Sequence, residues 1–124
     1  MKDDDLYLIH MLETARRIER RMTRLSRSEF DQNEDVQLAL VHLLQTVGEA
    51  ARKVSDKTRA LRPEIPWTQA VGMRHRLVHD YIRIDLEIVW NTAVHNIPPL
   101  IKVLQPIVDP IIAAAKAQEG TTSP

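Results

Sequence analysis

"VQLALVHLLQTVGEAARKV", residues 36–54, decides how the rest of the chain is read. Its apolar residues Val36, Leu40, Leu43, Val47, Ala51 and Val54 recur every three or four positions. That interval lines one side of an α-helix with hydrocarbon and leaves the other side to water. Upstream, Leu8, Met11, Ala15, Ile18, Met22 and Leu25 keep the same rhythm and predict a first helix over about residues 4–26. Between the two, "SRSEFDQNED" (26–35) breaks the period and offers Asp31 and Asn33 as caps. The second helix is expected to begin near Val36 and end near Thr58, ahead of "RPEIPW" (62–67), where Pro63 and Pro66 stop helix propagation. A third helix is expected from about Trp67 to His79 or Tyr81. The last stripe, Leu86, Trp90, Ala93, Ile97, Leu100, Leu104, Ile107 and Ile111, keeps its phase through Pro98 and Pro99. It predicts one axis kinked at those prolines, or two helices with Pro98 opening the second.

Four amphipathic segments with short connections imply an all-α fold, an up-and-down bundle of four to five helices. With 124 residues the chain has the length of one domain, read as 1–118, while "AQEGTTSP" (117–124) reads as a frayed end, with 119–124 a disordered tail. Three glycines and five aromatic residues speak against a sandwich or barrel. Seventeen basic residues balance seventeen acidic ones, so any RNA contact must use a local patch. There is no cysteine, hence no disulfide, thiolate nucleophile or cysteine-bound metal. The start "MKDDDLYLIH" lacks the bases and apolar run of a signal peptide, and no stretch reads as a membrane span. A cytoplasmic location is the default expectation.

"MRHRLVHDYIRID", residues 73–85, concentrates the polar chemistry. On a straight helix Trp67, Val71, Arg74, Val78 and Tyr81 share a stripe, which assigns Arg74 to the buried face. A buried guanidinium needs a carboxylate, here Glu49 or Glu64, or a face that opens onto a cleft or a second subunit. His79 lies five residues beyond Arg74, about 140° around the axis, so the two do not point side by side from one regular helix. They converge where the helix unwinds, where the arginine swings round, or where two copies of the segment meet across a dimer axis. His79 also suits a helix C-terminus, where an imidazole meets free carbonyls. His75 and His79 share a face as a metal pair would, but no third ligand stands out and no metal or other cofactor is expected. His10, His42 and His95 read as packing or surface residues. Gly48, in mid-helix, implies close packing against a neighbour or ligand. The arginines of "ARRIERRMTR" (15–24) read as a solvated face diluted by Glu13, Glu19 and the acidic start.

Arg74, His79, Asp80 and Tyr81 resemble the R-x-x-x-x-H-x-Y motif of the HEPN superfamily. "EFDQNED" (29–35), "VGEAARKV" (47–54), "PEIPWTQAVGMRHRLVHDY" (63–81) and "VWNTAVHNIPPL" (89–100) are similar, in order, to its HepT-like branch. One departure is His75, where the family usually has asparagine. The resemblance implies a helical bundle whose dimer lines a shared cleft with two arginine–histidine segments. It implies a metal-independent endoribonuclease, the toxin of a type VII-like toxin–antitoxin pair. The antitoxin would be a minimal nucleotidyltransferase that transfers AMP to the motif tyrosine, Tyr81. An alternative role is a non-catalytic, dimeric substrate or docking subunit of that nucleotidyltransferase. In the ribonuclease reading the RNA needs a base of near-neutral pKa and a fixed cation, which assigns His79 as general base or acid and Arg74 as clamp. Asp80 would orient an imidazole and Tyr81 would contact a phosphate or a base, with His75 as a further auxiliary group.

Overall fold

The computed structural model describes residues 2–75 and 83–121, and every regular element among them is helical. Helix α1 spans Asp3–Met22, α2 Arg27–Gln32, α3 Glu34–Lys53, α4 Asp56–Leu61 and α5 Trp67–Gly72. The final rod consists of α6 (Leu86–Asn91), a π turn (Thr92–Asn96) and α7 (Ile97–Thr121). The all-α bundle is therefore as expected, with several boundaries moved for local reasons.

α1 ends at Met22, short of the expected 26: Thr23 still gives its amide to the carbonyl of Glu19 at 3.1 Å, with its hydroxyl on the same oxygen at 2.9 Å, but Leu25 reaches back only three residues, to Met22. A separate helix follows within the stretch read as a connection. Ser26 accepts from the Glu29 amide, and the Glu29 carboxylate accepts from the Ser26 amide, a reciprocal capping box that starts α2. Asn33 then caps α3 through the Val36 amide at 3.1 Å. Glu34 and Asp35 in the first turn, and Arg52 and Lys53 in the last, complement the helix dipole. The expected run to Thr58 is broken at Val54, which is extended, and Ser55 caps the new helix α4.

The core forms where the stripes of α1, α3 and the final rod meet. Leu8, Met11, Leu12, Ala15 and Ile18 face Leu40, Leu44, Val47 and Ala51 on one side and Ile97, Leu100, Leu104 and Val108 on the other, all essentially without solvent contact. Burying each large aliphatic side chain in such a layer stabilises the fold by about 1.5–3 kcal/mol. By length and apolar content Leu86–Glu119 would be long enough to cross a membrane, against the reading of the sequence. One side of it is covered by α1, however, and the other carries Lys102 and Asp109 to the exposed surface.

α1 and α3 run antiparallel, since Asp4 in the first turn of α1 meets Ser55 just beyond α3. Its carboxylate accepts from the Ser55 amide at 3.0 Å and from the Ser55 and Thr58 hydroxyls at 2.5 Å each. The Ser55 hydroxyl, then those of Thr58 and the Ser55 amide, hold this carboxyl below its ordinary 3.8. A lowered folded value means stability that is present above the ordinary carboxylate range and lost as pH falls through the lowered value. Asp4→Asn is expected to cost about 1 kcal/mol at neutral pH. In denaturant melts repeated at falling pH, the gap to the parent protein should close.

The final rod stays continuous through Pro98 and Pro99, but its irregularity precedes them. Ile97 donates to the carbonyl of Thr92, five residues back, across the π turn. A proline has no amide to give and its ring collides with the carbonyl four residues earlier. For Pro98 and Pro99 those carbonyls belong to Val94 and His95, inside the widened turn. The chain thus absorbs both prolines by adding a wide turn.

Candidate active site

The segment that carries the polar motif enters through Ile65, buried, and Trp67, whose indole donates to the Arg62 carbonyl at 2.9 Å under the Arg59 guanidinium. α5 ends at Gly72, and the part of the expected helix over residues 76–81 lies outside the described residues. The amides of Met73, Arg74 and His75 then reach back only three residues, to Ala70, Val71 and Gly72. Three-residue bonding turns the chain faster than an α-helix and eclipses residues three apart. Ala70 and Met73 consequently take the buried positions, and Arg74 is not on the buried face that its spacing assigned to it. Its side chain is 42% exposed.

What holds Arg74 is α3. Its Nε lies 3.3 Å from Oε2 of Glu49, the first of the two partners expected. Glu64, the second, sits 4.0 Å from Arg62 instead. Glu49 also accepts from Arg52 at 2.7 Å. The Arg52 hydrogen bond, with the charges of Arg52, Arg74 and Lys53, keeps the Glu49 carboxyl below its ordinary range, so it stays ionised at neutral pH.

Gly48 makes this approach geometrically feasible, as its mid-helix place implied. A Cβ there would lie 2.7 Å from the Arg74 nitrogen, 3.0 Å from the Arg74 Cβ and 3.2 Å from the Ala70 carbonyl oxygen. Only hydrogen fits between the two backbones. The turn bearing Arg74 therefore rests directly on α3.

Beside that contact an open cleft of about 320 Å³ is lined by His42, Gln45, Thr46, Glu49 and Arg74. The four α3 residues are spaced three, one and three apart and form one polar face, with Thr46 donating to the His42 carbonyl at 2.8 Å. Sequence reasoning overlooked His42 in this role. The signal was available: a glycine that admits a neighbouring backbone also puts the polar residues flanking it beside whatever docks there. His42, His10 and His95 are all exposed, and so is His75, which donates only its amide to the turn among the contacts above. His79, Asp80 and Tyr81 lie outside the described residues, so their place relative to Arg74 rests on chain proximity. Among the described residues no cluster of three potential metal ligands occurs. A larger groove of about 700 Å³ lies between Lys2, Asp5, Arg62 and α7, around Pro106, Ile107, Pro110 and Ile111, and does not include Arg74.

Downstream of the motif, α2 anchors the chain again. Arg27 bridges Asp31 and Glu87, each at 2.9 Å, and lies over the Trp90 ring, which tilts against Phe30 at 5.3 Å between centroids. The motif is thus bracketed by two fixed points, the α5 turn on α3 and the α6 start on α2.

Comparison with known proteins matches the amino-acid sequence to named relatives. A Methanocaldococcus jannaschii protein with a provisional RNase name is 36% identical over 67% of this chain and 69% of its own length. The Thermococcus cleftensis protein named "Probable ribonuclease HepT" is 31% identical over 76% of this chain and 86% of its own. A Caldanaerobacter subterraneus protein, also with a provisional RNase name, is 30% identical over 86% of this chain and 96% of its own. No solved structure matches at a significant level. The model of the family described as "Ribonuclease HepT-like" matches residues 11–107, which take in α3, the Arg74 turn and the π turn, and the chain belongs to that family.

Proposed function

We propose that this chain is the ribonuclease toxin of a toxin–antitoxin pair, a metal-independent endoribonuclease that acts as a homodimer. The observation that carries the reading is a fixed guanidinium, Arg74, held by Glu49 at an open cleft five residues before the motif histidine. In this reaction His79 takes the proton of a 2′-hydroxyl, and the 2′-oxygen bonds to phosphorus. The P–O5′ bond breaks with its electron pair on O5′, which receives a proton from an imidazolium. Arg74, gripped through its Nε edge, offers its terminal NH2 groups to the phosphorane oxygens. Two copies of the segment facing each other bring Arg74 and His79 to one phosphate without requiring them to be neighbours on one helix. Asp80 and His75 serve as orienting groups around that cleft.

Neutralisation follows when a partner nucleotidyltransferase directs the Tyr81 oxygen onto the α-phosphorus of ATP, with release of pyrophosphate and the phenolic proton. The added phosphodiester carries negative charge to Arg74 and competes with RNA for it.

Purified protein is expected to cut single-stranded RNA in EDTA and leave cyclic phosphate ends. Protein co-expressed with the adjacent nucleotidyltransferase should show added AMP on Tyr81 by intact mass and peptide mapping, and should no longer cut. A protein that stays intact beside RNA at every concentration, yet binds the nucleotidyltransferase, would replace this reading with the docking-subunit one.

A further inference from the structure

The arginine run of α1 lies differently in space from its appearance in sequence. Arg17, Arg20 and Arg21 by themselves line an open cleft of about 380 Å³ on the outer face of α1, and Arg24, in the turn just past the helix, is exposed as well. Of the carboxylates that dilute the run along the chain, Glu19 and Asp4 are elsewhere. Glu19 lines a separate cleft with Met22, Leu25 and Trp90, and Asp4 is engaged by Ser55 and Thr58 at the far end of the helix. Glu13 precedes Arg17 by one turn, yet makes no ion pair with it. Arg16, Arg27, Arg52, Arg62 and Arg74 are engaged in ion pairs, whereas Arg17, Arg20 and Arg21 pair with no carboxylate among the described residues.

Like charges three and four residues apart repel and destabilise a helix. Arg20 and Arg21, in the last turn of α1, complement the helix dipole, a role that does not extend to Arg17 one turn earlier, so folding alone does not account for three unpaired guanidiniums on one face. Their Cβ atoms are about 5–6 Å apart from one turn to the next, a spacing that long side chains adjust to successive phosphates of a strand. The guanidinium fork meets a phosphate with two parallel hydrogen bonds. A chain of zero net charge also has no general field to draw in a polyanion, so it has to concentrate its cations locally.

We propose that the Arg17, Arg20 and Arg21 face of α1 is a second RNA-binding surface. It holds the phosphodiester backbone of a single-stranded substrate away from the Arg74 cleft. This rests on the ribonuclease reading. The face carries cations and no aromatic rings, so it grips the backbone without selecting sequence.

The test compares the full-length parent with Arg17→Gln/Arg20→Gln/Arg21→Gln and with Lys57→Gln/Lys102→Gln/Lys116→Gln, exposed lysines that give the same change in net charge. Binding to a labelled 2′-O-methyl oligoribonucleotide, which is not cleaved, is followed in EDTA between about 50 and 200 mM salt. Removing three phosphate contacts should flatten the log–log salt dependence by about 2. The arginine variant should lose affinity on the order of tenfold at the lower salt and show a matching rise in KM for long RNA, with dinucleotide cleavage unchanged. The lysine variant should keep the parental slope. An unchanged slope in the arginine variant, or an equal loss in both variants, overturns the inference and leaves the ribonuclease reading standing. Loss of nucleotidyltransferase binding with RNA affinity intact also overturns it and assigns the face to an acidic protein surface. A parent protein that neither cuts nor binds RNA removes the ribonuclease reading, and this inference with it.

Discussion

Alanine at Arg74 is expected to lower RNA cleavage by about 10²–10³-fold, the cost of removing one donor aimed at developing charge. Alanine at His79 removes proton transfer and should cost about 10²–10⁴-fold. Arg74 has a half-exposed side chain on a turn outside the core, so circular dichroism and thermal midpoint should barely move in its variant. Arg74→Lys tells a clamp from a counter-charge. Lysine keeps the charge but not the fork, and only a small recovery over alanine is expected if two oxygens of one phosphate are held. Glu49→Gln should give a smaller loss, since Glu49 positions Arg74 and does not meet substrate. Because Arg52, Arg74 and Lys53 hold the Glu49 carboxyl below its ordinary range, its grip is present above that range and fails only as pH falls through the lowered value. A rate that declines nearer neutrality on acidification should therefore follow an imidazole, and the Glu49→Gln protein should show the same decline. Parental cleavage rates in the Arg74→Ala or His79→Ala proteins would remove both residues from the mechanism.

Gly48→Val should damage stability and activity together. Even alanine would set a methyl 2.7 Å from the Arg74 backbone nitrogen and 3.0 Å from its Cβ, and a backbone cannot step aside as a flexible side chain does. Helix propensity returns at most about 1 kcal/mol on replacing glycine, whereas overpacking costs about 1–3 kcal/mol, so the clash wins and valine widens the margin. The turn must lift from α3, and Arg74 must leave Glu49. Lower thermal midpoints with cleavage reduced toward the Arg74→Ala level are the expected pair of results. A valine protein that melts lower but cuts RNA normally would show that the contact is structural only.

Sequence periodicity located α1, α3 and the final rod because each buries a continuous stripe, and that signal is strong over twenty residues. It failed where short-range hydrogen bonds compete with it. α2 and α4 are six residues each, too short to show a period, and are set by the hydroxyls of Ser26 and Ser55. The arginine stripe was drawn on an ideal helix, but α5 tightens after Gly72, and one change of turn type moved Arg74 from an inferred buried face to an exposed one. Glu49 was legible as a partner because a charge at that place needs one. His42 was not, since its position matters only once the Arg74 turn rests beside it, a long-range contact that no local pattern carries. The arginines of α1 are exposed, as a solvated face would be, and what the sequence pattern did not carry is that Glu19, their neighbour along the chain, lines a different cleft.

The π turn has a consequence for how substitutions spread. The half of the final rod nearest the motif, Leu86–Asn91, leans on α2 through Glu87 and Trp90, while Ile97–Val108 is locked into the layer against α1. A regular helix would gear the two halves together, so that rotating one rotates the other. With a wide turn at Thr92–Asn96 that gearing is interrupted, and looser coupling of the two halves is expected. Substitutions at Leu100 or Leu104 should then lower stability without turning the half that borders the motif, and a substitution at exposed Glu87 should act on that half without re-cutting the core.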